Sequence, residues 1–191
     1  MKEQSQKTKI ILIGYRATGK STIASLLAER WGFDWIDADV AVEERAGKRI
    51  SAIFRDEGEP YFRDLEASTL ADILTAPGPL VVATGGGAPM REETRRVMRD
   101  RGVVVWLTAS VETIARRMSG DATTSSRRPA LTKAGSPIAE IERVLSVREP
   151  IYREASDFAV DTNDKTVDEI VEEIMDQAPS FFFKGRRCAD A

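Results

Sequence analysis

Near its start the chain reads IILIGYRATGKSTIA, an apolar run, a loop of small residues and then a helical pattern. Gly14, Gly19, Lys20 and Ser21 meet the spacing G-x-x-x-x-G-K-[ST], and this constrains the fold more than any other stretch. Such a loop needs a strand to deliver it and a helix whose first amides face an anion. It also needs a lysine to reach terminal phosphates and a hydroxyl to bind Mg2+. Residues 10–13 read as a buried parallel strand, and Ile23, Leu26, Leu27 and Trp31 recur at helical spacing behind the loop. Gly14, Ala17, Thr18, Gly19, Lys20, Ser21 and Thr22 are therefore the expected nucleotide-binding residues. Ala17 stands where many small-molecule kinases carry another glycine, and it suits a phosphate cradle if its φ is negative.

The rhythm repeats downstream. Short strands are expected at 33–36, 80–83, 103–107 and 157–161, and helices at about 39–47, 59–74, 91–100, 111–119 and 137–155. A last amphipathic helix places Val167, Ile170, Val171 and Ile174 on one face. Alternating strands and helices predict an α/β fold: a three-layer α/β/α arrangement around a five-stranded parallel sheet with right-handed crossovers. Residues 120–136, GDATTSSRRPALTKAGS, are polar and lack apolar periodicity, so a long loop is expected there. Residues 1–177 are expected to form one domain, and 178–191, with three adjacent phenylalanines, a flexible tail.

Composition narrows the partners. Asp and Glu (31) outnumber Lys and Arg (28) and no basic stripe forms, which disfavours nucleic acid. The sole cysteine, Cys188, cannot close an intrachain disulfide, and a reducing cytoplasm is the expected setting. The first nine residues are polar and the following apolar run has four residues, so neither a signal peptide nor a membrane span is expected. With no histidine in the chain, proton transfer must fall to a carboxylate, lysine, tyrosine or water.

Three reaction classes share such a phosphate loop: switch GTPases, motor-type ATPases and small-molecule kinases. The D-x-x-G and N-K-x-D patterns of a GTPase are missing from the sequence. Asp37 and Asp39 end the second expected strand, where an extended backbone would aim both toward the carboxyl edge of the sheet. One could hold a metal while the other accepts a hydroxyl proton; alternatively, Asp39 caps the next helix. Gly85, Gly86 and Gly87 follow the third strand and would expose bare amides to a ligand.

Taken together, the chain resembles the shikimate kinase family over about residues 9–176. The resemblance lies in GYRATGKST, DADVAVEERAGKRISAIFRDEGEPYFRDLE, TGGGAP, RRPAL and VREPIYREASDFAVDT. It implies a nucleoside monophosphate kinase-like fold, a substrate-binding segment at about 38–75, a lid at about 120–136, and transfer of the ATP γ-phosphate to the 3-hydroxyl of shikimate. It further implies that Lys20 contacts phosphate, that Ser21 and Asp37 attend Mg2+, and that Asp39 holds the shikimate hydroxyls and acts as base. Arg63 and Arg148 would clamp the substrate carboxylate beside Gly85, Gly86 and Gly87. Arg128 would descend from the lid onto the phosphates, and Arg117 would lie near the nucleotide. A monomer is expected. The rival readings are a kinase of another polyol acid such as gluconate, and a catalytically silent nucleotide-binding protein.

Overall fold

The structure, a computed structural model, describes residues 7–120 and 137–179. Five parallel strands form one sheet: β1 (Lys9–Ile13), β2 (Asp34–Asp37), β3 (Leu80–Ala83), β4 (Gly102–Thr108) and β5 (Phe158–Asp161), in the order β2-β3-β1-β4-β5. The helices are α1 (Lys20–Trp31), α2 (Ala38–Ala46), α3 (Ile50–Asp56), α4 (Gly58–Thr75), α5 (Glu92–Arg101), α6 (Val111–Gly120), α7 (Pro137–Ala155) and α8 (Val167–Gln177). A 3-10 turn, Ala88–Met90, follows β3. The expected lid and its Arg128 lie outside the described residues apart from Gly120, and so do residues 180–191 of the tail.

Period-two alternation builds the three layers. Ile10, Leu12, Val103, Val105 and Leu107 face Ile23 and Leu27 of α1 and Ile170, Val171 and Ile174 of α8. Ile11, Ile13, Val104 and Trp106 face Leu70 and Leu74 of α4, Met98 of α5 and Tyr152 of α7. Burying each such side chain contributes about 1.5–3 kcal/mol, so the sheet's two aliphatic faces hold the layers together. Both outer strands, β2 and β5, are only four residues long.

At the amino edge of the sheet, Lys9 is buried with its ammonium donating to the carbonyls of Ala76 (2.8 Å) and Gly78 (2.6 Å). Burial pulls its pKa below the ordinary lysine value, and the two carbonyls tie down the loop that leaves α4. At the opposite edge the strand order does the positioning. Because β1 lies between β3 and β4, the chain leaves it in one direction and returns on the other side, which opens a crevice above the carboxyl ends of β1 and β3. The two loops rising there are registered by Leu12 against Ala83 and by the Thr84 amide and hydroxyl, which both donate to the Leu12 carbonyl (3.1 and 3.0 Å).

Helix α3 was not expected; its Ile50 and Ile53 pack with Val42 of α2 and Phe62 of α4 in a satellite core. The second strand ends one residue later than its apolar pattern suggests. Helix α2 then starts at once, so Asp39 lies in the first turn of a helix rather than in an extended strand.

Candidate functional site

The phosphate loop is shaped by its backbone. Gly14 leaves β1 at φ 142°, and a Cβ on it would stand 2.5 Å from the Leu107 carbonyl oxygen of β4. Thr18 donates its hydroxyl back to the Tyr15 carbonyl at 2.8 Å. Ala17 departs from expectation. Its φ is +63°, in the left-handed region, because the loop must reverse there to bring Gly19 and Lys20 under the cradle. For an alanine this conformation costs about 1–2 kcal/mol. Arg117 of α6 supports the strained residue, with Nη1 donating to the Ala17 carbonyl (3.4 Å) and the Thr162 hydroxyl (3.0 Å) and Nη2 to the Thr162 carbonyl (2.6 Å).

No side chain caps α1 and no acidic residue occupies its first turn, so its leading amides present an anion-binding end to the crevice. Lys20 lies across the loop, its ammonium on the carbonyls of Tyr15 (2.7 Å) and Gly14 (3.0 Å). Tyr15 is buried among Ile114 of α6 and Ile141 and Leu145 of α7, and burial pushes its phenol above the usual range. The neighbouring Arg16 reaches Glu140 of α7 at 3.8 Å.

Asp37 bridges the two sides. One carboxylate oxygen accepts from Ser21 at 2.5 Å and the other from the Asp39 amide at 3.0 Å. The helix-capping role weighed for Asp39 therefore belongs to Asp37, the N-cap of α2. Ser21 and Asp37 together offer hard oxygen donors suited to Mg2+. Among the described residues no group of three or more His, Cys, Asp or Glu side chains could hold a metal ion. That composition fits an ion that keeps waters and shares the nucleotide's phosphates better than an all-protein cage.

On the other side of the crevice, Gly85–Gly87 form a buried turn leading into the 3-10 segment. Its glycines make room for side chains of this chain. A Cβ on Gly87 would lie 2.2 Å from Arg63 Nη1, and one on Gly86 would lie 3.6 Å from Arg148 Nη1 and 3.3 Å from the Gly14 carbonyl oxygen. Arg63 of α4 is held by Glu66 (2.8 Å) and Glu59 (3.0 Å) and covers the Phe62 ring. Burial opposes its charge, yet the two carboxylates outweigh burial and raise its pKa above the usual arginine value. Arg148 of α7 pairs with neither Glu142 nor Glu149; Nη1 meets the Gly86 carbonyl at 3.4 Å.

Two contributors had no distinct sequence signal. Arg95 donates to the carbonyls of Pro89 (2.8 Å) and Met90 (3.1 Å), anchoring the segment after the glycine turn. Tyr152 donates its buried hydroxyl to the Gly86 carbonyl at 2.6 Å. In sequence, the first looks like one more surface arginine of a charged helix and the second like a core aromatic.

A phosphate loop between β1 and α1, beside an arginine-flanked turn after β3, defines a P-loop kinase of the nucleoside monophosphate kinase-like fold. A gluconokinase from Sinorhizobium meliloti shares that fold alone: TM-score 0.55 and 17% identity, over 95% of this chain and 99% of that one. The shikimate kinase sequence profile matches residues 16–179. The Rhodopirellula baltica shikimate kinase is 42% identical over 171 residues, 90% of each chain. A shikimate kinase from Acinetobacter baumannii, solved in complex with shikimate, superposes with TM-score 0.84 at 31% identity, covering 95% of this chain and 97% of that one. The chain belongs to the shikimate kinase family.

Proposed function

We propose that the chain transfers the γ-phosphate of ATP to the 3-hydroxyl of shikimate, forming shikimate 3-phosphate and ADP in the route to chorismate and the aromatic amino acids. The observation that carries this reading is the convergence of Arg63 and Arg148 on consecutive glycines, Gly87 and Gly86, across the crevice from the phosphate loop. Two guanidinium forks beside one turn suit a rigid carboxylate, since each can donate two parallel hydrogen bonds. Family membership supports the same assignment.

In this reading the loop amides and Lys20 hold the nucleotide's phosphates, with Arg117 keeping the loop in its reversed shape. Ser21 and Asp37 would hold Mg2+, which would neutralise charge on the phosphates. Asp39 receives the proton of the attacking hydroxyl; its place in the first turn of α2 sets it beside the Ser21–Asp37 pair. Arg63 and Arg148 orient the acceptor through its carboxylate, and Gly85, Gly86 and Gly87 line that pocket. Arg128 acts from the lid at 120–136. Residues 1–177 work as one kinase domain, a cytoplasmic monomer, with 38–75 as the acceptor segment.

The decisive test is ADP release with Mg-ATP against shikimate, quinate, gluconate and nucleoside monophosphates. Turnover concentrated on shikimate is expected. Rapid phosphorylation of gluconate with none of shikimate would overturn the reading.

A further inference from the structure

Arg148 and Tyr152 stand one turn apart on α7, and both address the same atom, the Gly86 carbonyl oxygen. They do so unequally. The tyrosine bond is short, 2.6 Å, and buried, whereas the arginine contact is long, 3.4 Å. Tyr152 is fully buried against Trp106, their rings tilted with centroids 5.9 Å apart. Packing alone there would be met by phenylalanine, so the hydroxyl has a separate task. Among the described residues Arg148 makes no ion pair with a carboxylate, and its only hydrogen bond is the long one to Gly86.

A guanidinium next to an unclaimed buried carbonyl tightens onto it, because a charge-assisted hydrogen bond in a partly dry site is stronger than a neutral one. The same guanidinium would then be withheld from an incoming anion. We propose that Tyr152 is a positioning residue whose hydroxyl engages the Gly86 carbonyl and so leaves Arg148 available to the acceptor carboxylate. This rests on the assignment of Arg148 proposed above. It also explains why a tyrosine follows the arginine by one helical turn: that spacing puts both side chains on one face, over one carbonyl.

The test is a double-substitution cycle on the full chain, with Tyr152→Phe, Arg148→Ala and the pair, each checked by thermal melting and assayed by ADP release. Tyr152→Phe should raise the KM for shikimate about fivefold, the worth of one hydrogen bond, and leave kcat and the KM for ATP within about twofold. In the Arg148→Ala background the same change should have almost no effect on the shikimate KM, because the two residues act in series. Wild type should also prefer shikimate over its methyl ester more strongly than Tyr152→Phe does. Should the phenylalanine variant not fold, Tyr152→Met fills the site without a hydroxyl and takes its place. An unchanged shikimate KM in Tyr152→Phe, an equal rise in both KM values, or the same factor with and without Arg148 would each overturn the proposal. Arg148→Ala with an unchanged shikimate KM would remove the clamp assignment and the proposal with it. A clear rise there beside a silent tyrosine would remove only the proposal.

Discussion

Two glycine-bearing loops rise from neighbouring strands, and they use the residue for opposite ends. In the phosphate loop, Gly14 is required for its backbone angle and for its closeness to the β4 main chain. In the turn after β3 the backbone is ordinary, with Gly87 at φ −93°, and glycine is required for the room it leaves to a guanidinium. A Gly-rich sequence shows neither reason by itself. Substitution separates them, since a backbone obstacle cannot move and a side chain can.

The largest effect is expected for Gly14→Ala. The added methyl would meet a strand carbonyl at 2.5 Å in a backbone conformation that disfavours alanine. Stability should fall by about 3 kcal/mol, read from urea unfolding midpoints, and turnover should collapse with it. Gly87→Ala comes next and should differ in kind. Its obstacle is the Arg63 guanidinium at 2.2 Å, which can swing aside, so the fold should survive with a loss of about 1–2 kcal/mol. The KM for shikimate should rise about tenfold while that for ATP holds, because the side chain displaced is Arg63, the proposed acceptor clamp. Equal damage to both KM values would erase the contrast.

Gly86→Ala probes the seam between the loops, since its methyl would press on the Gly14 carbonyl oxygen at 3.3 Å. A fall of about threefold in kcat with smaller changes in either KM is expected, from misalignment of donor and acceptor. Smallest of all, and opposite in sign, is Ala17→Gly. Relieving the left-handed alanine should raise stability by about 0.5–1 kcal/mol after the added unfolded-state entropy, with an unchanged denaturant slope.

Sequence and structure agree where the signal is local. The run at 80–83 is β3 to the residue, and β1 differs from 10–13 only by Lys9, whose polar end finds carbonyls at the sheet edge. The strand, loop and helix of the G-x-x-x-x-G-K-[ST] motif were also legible, and Arg63 and Arg148, singled out through family likeness, both lie beside the glycine turn. What the sequence hid was set by contacts, near and far along the chain, that no motif spells out. Ala17 takes a left-handed conformation and its carbonyl accepts from Arg117, one hundred residues away, and Asp39 is helical because Asp37 caps α2 immediately. Helix α3 has too few buried residues for a clear period and depends on its satellite core with α2 and α4. The duties of Tyr152 and Arg95 concern carbonyls 66 and about six residues away, which no residue type announces.

The brevity of the outer strands bears on self-association. A parallel sheet with two open margins offers unpaired amides and carbonyls to any other extended chain. Here each margin is one four-residue strand, and acidic side chains sit along both: Asp34 and Asp37 on β2, Asp161 on β5. A second copy trying to lengthen the ladder would find few bonds to make and like charges to oppose. The outer strands thus guard the sheet against fibrillar growth, while the site loops begin on the inner strands β1 and β3.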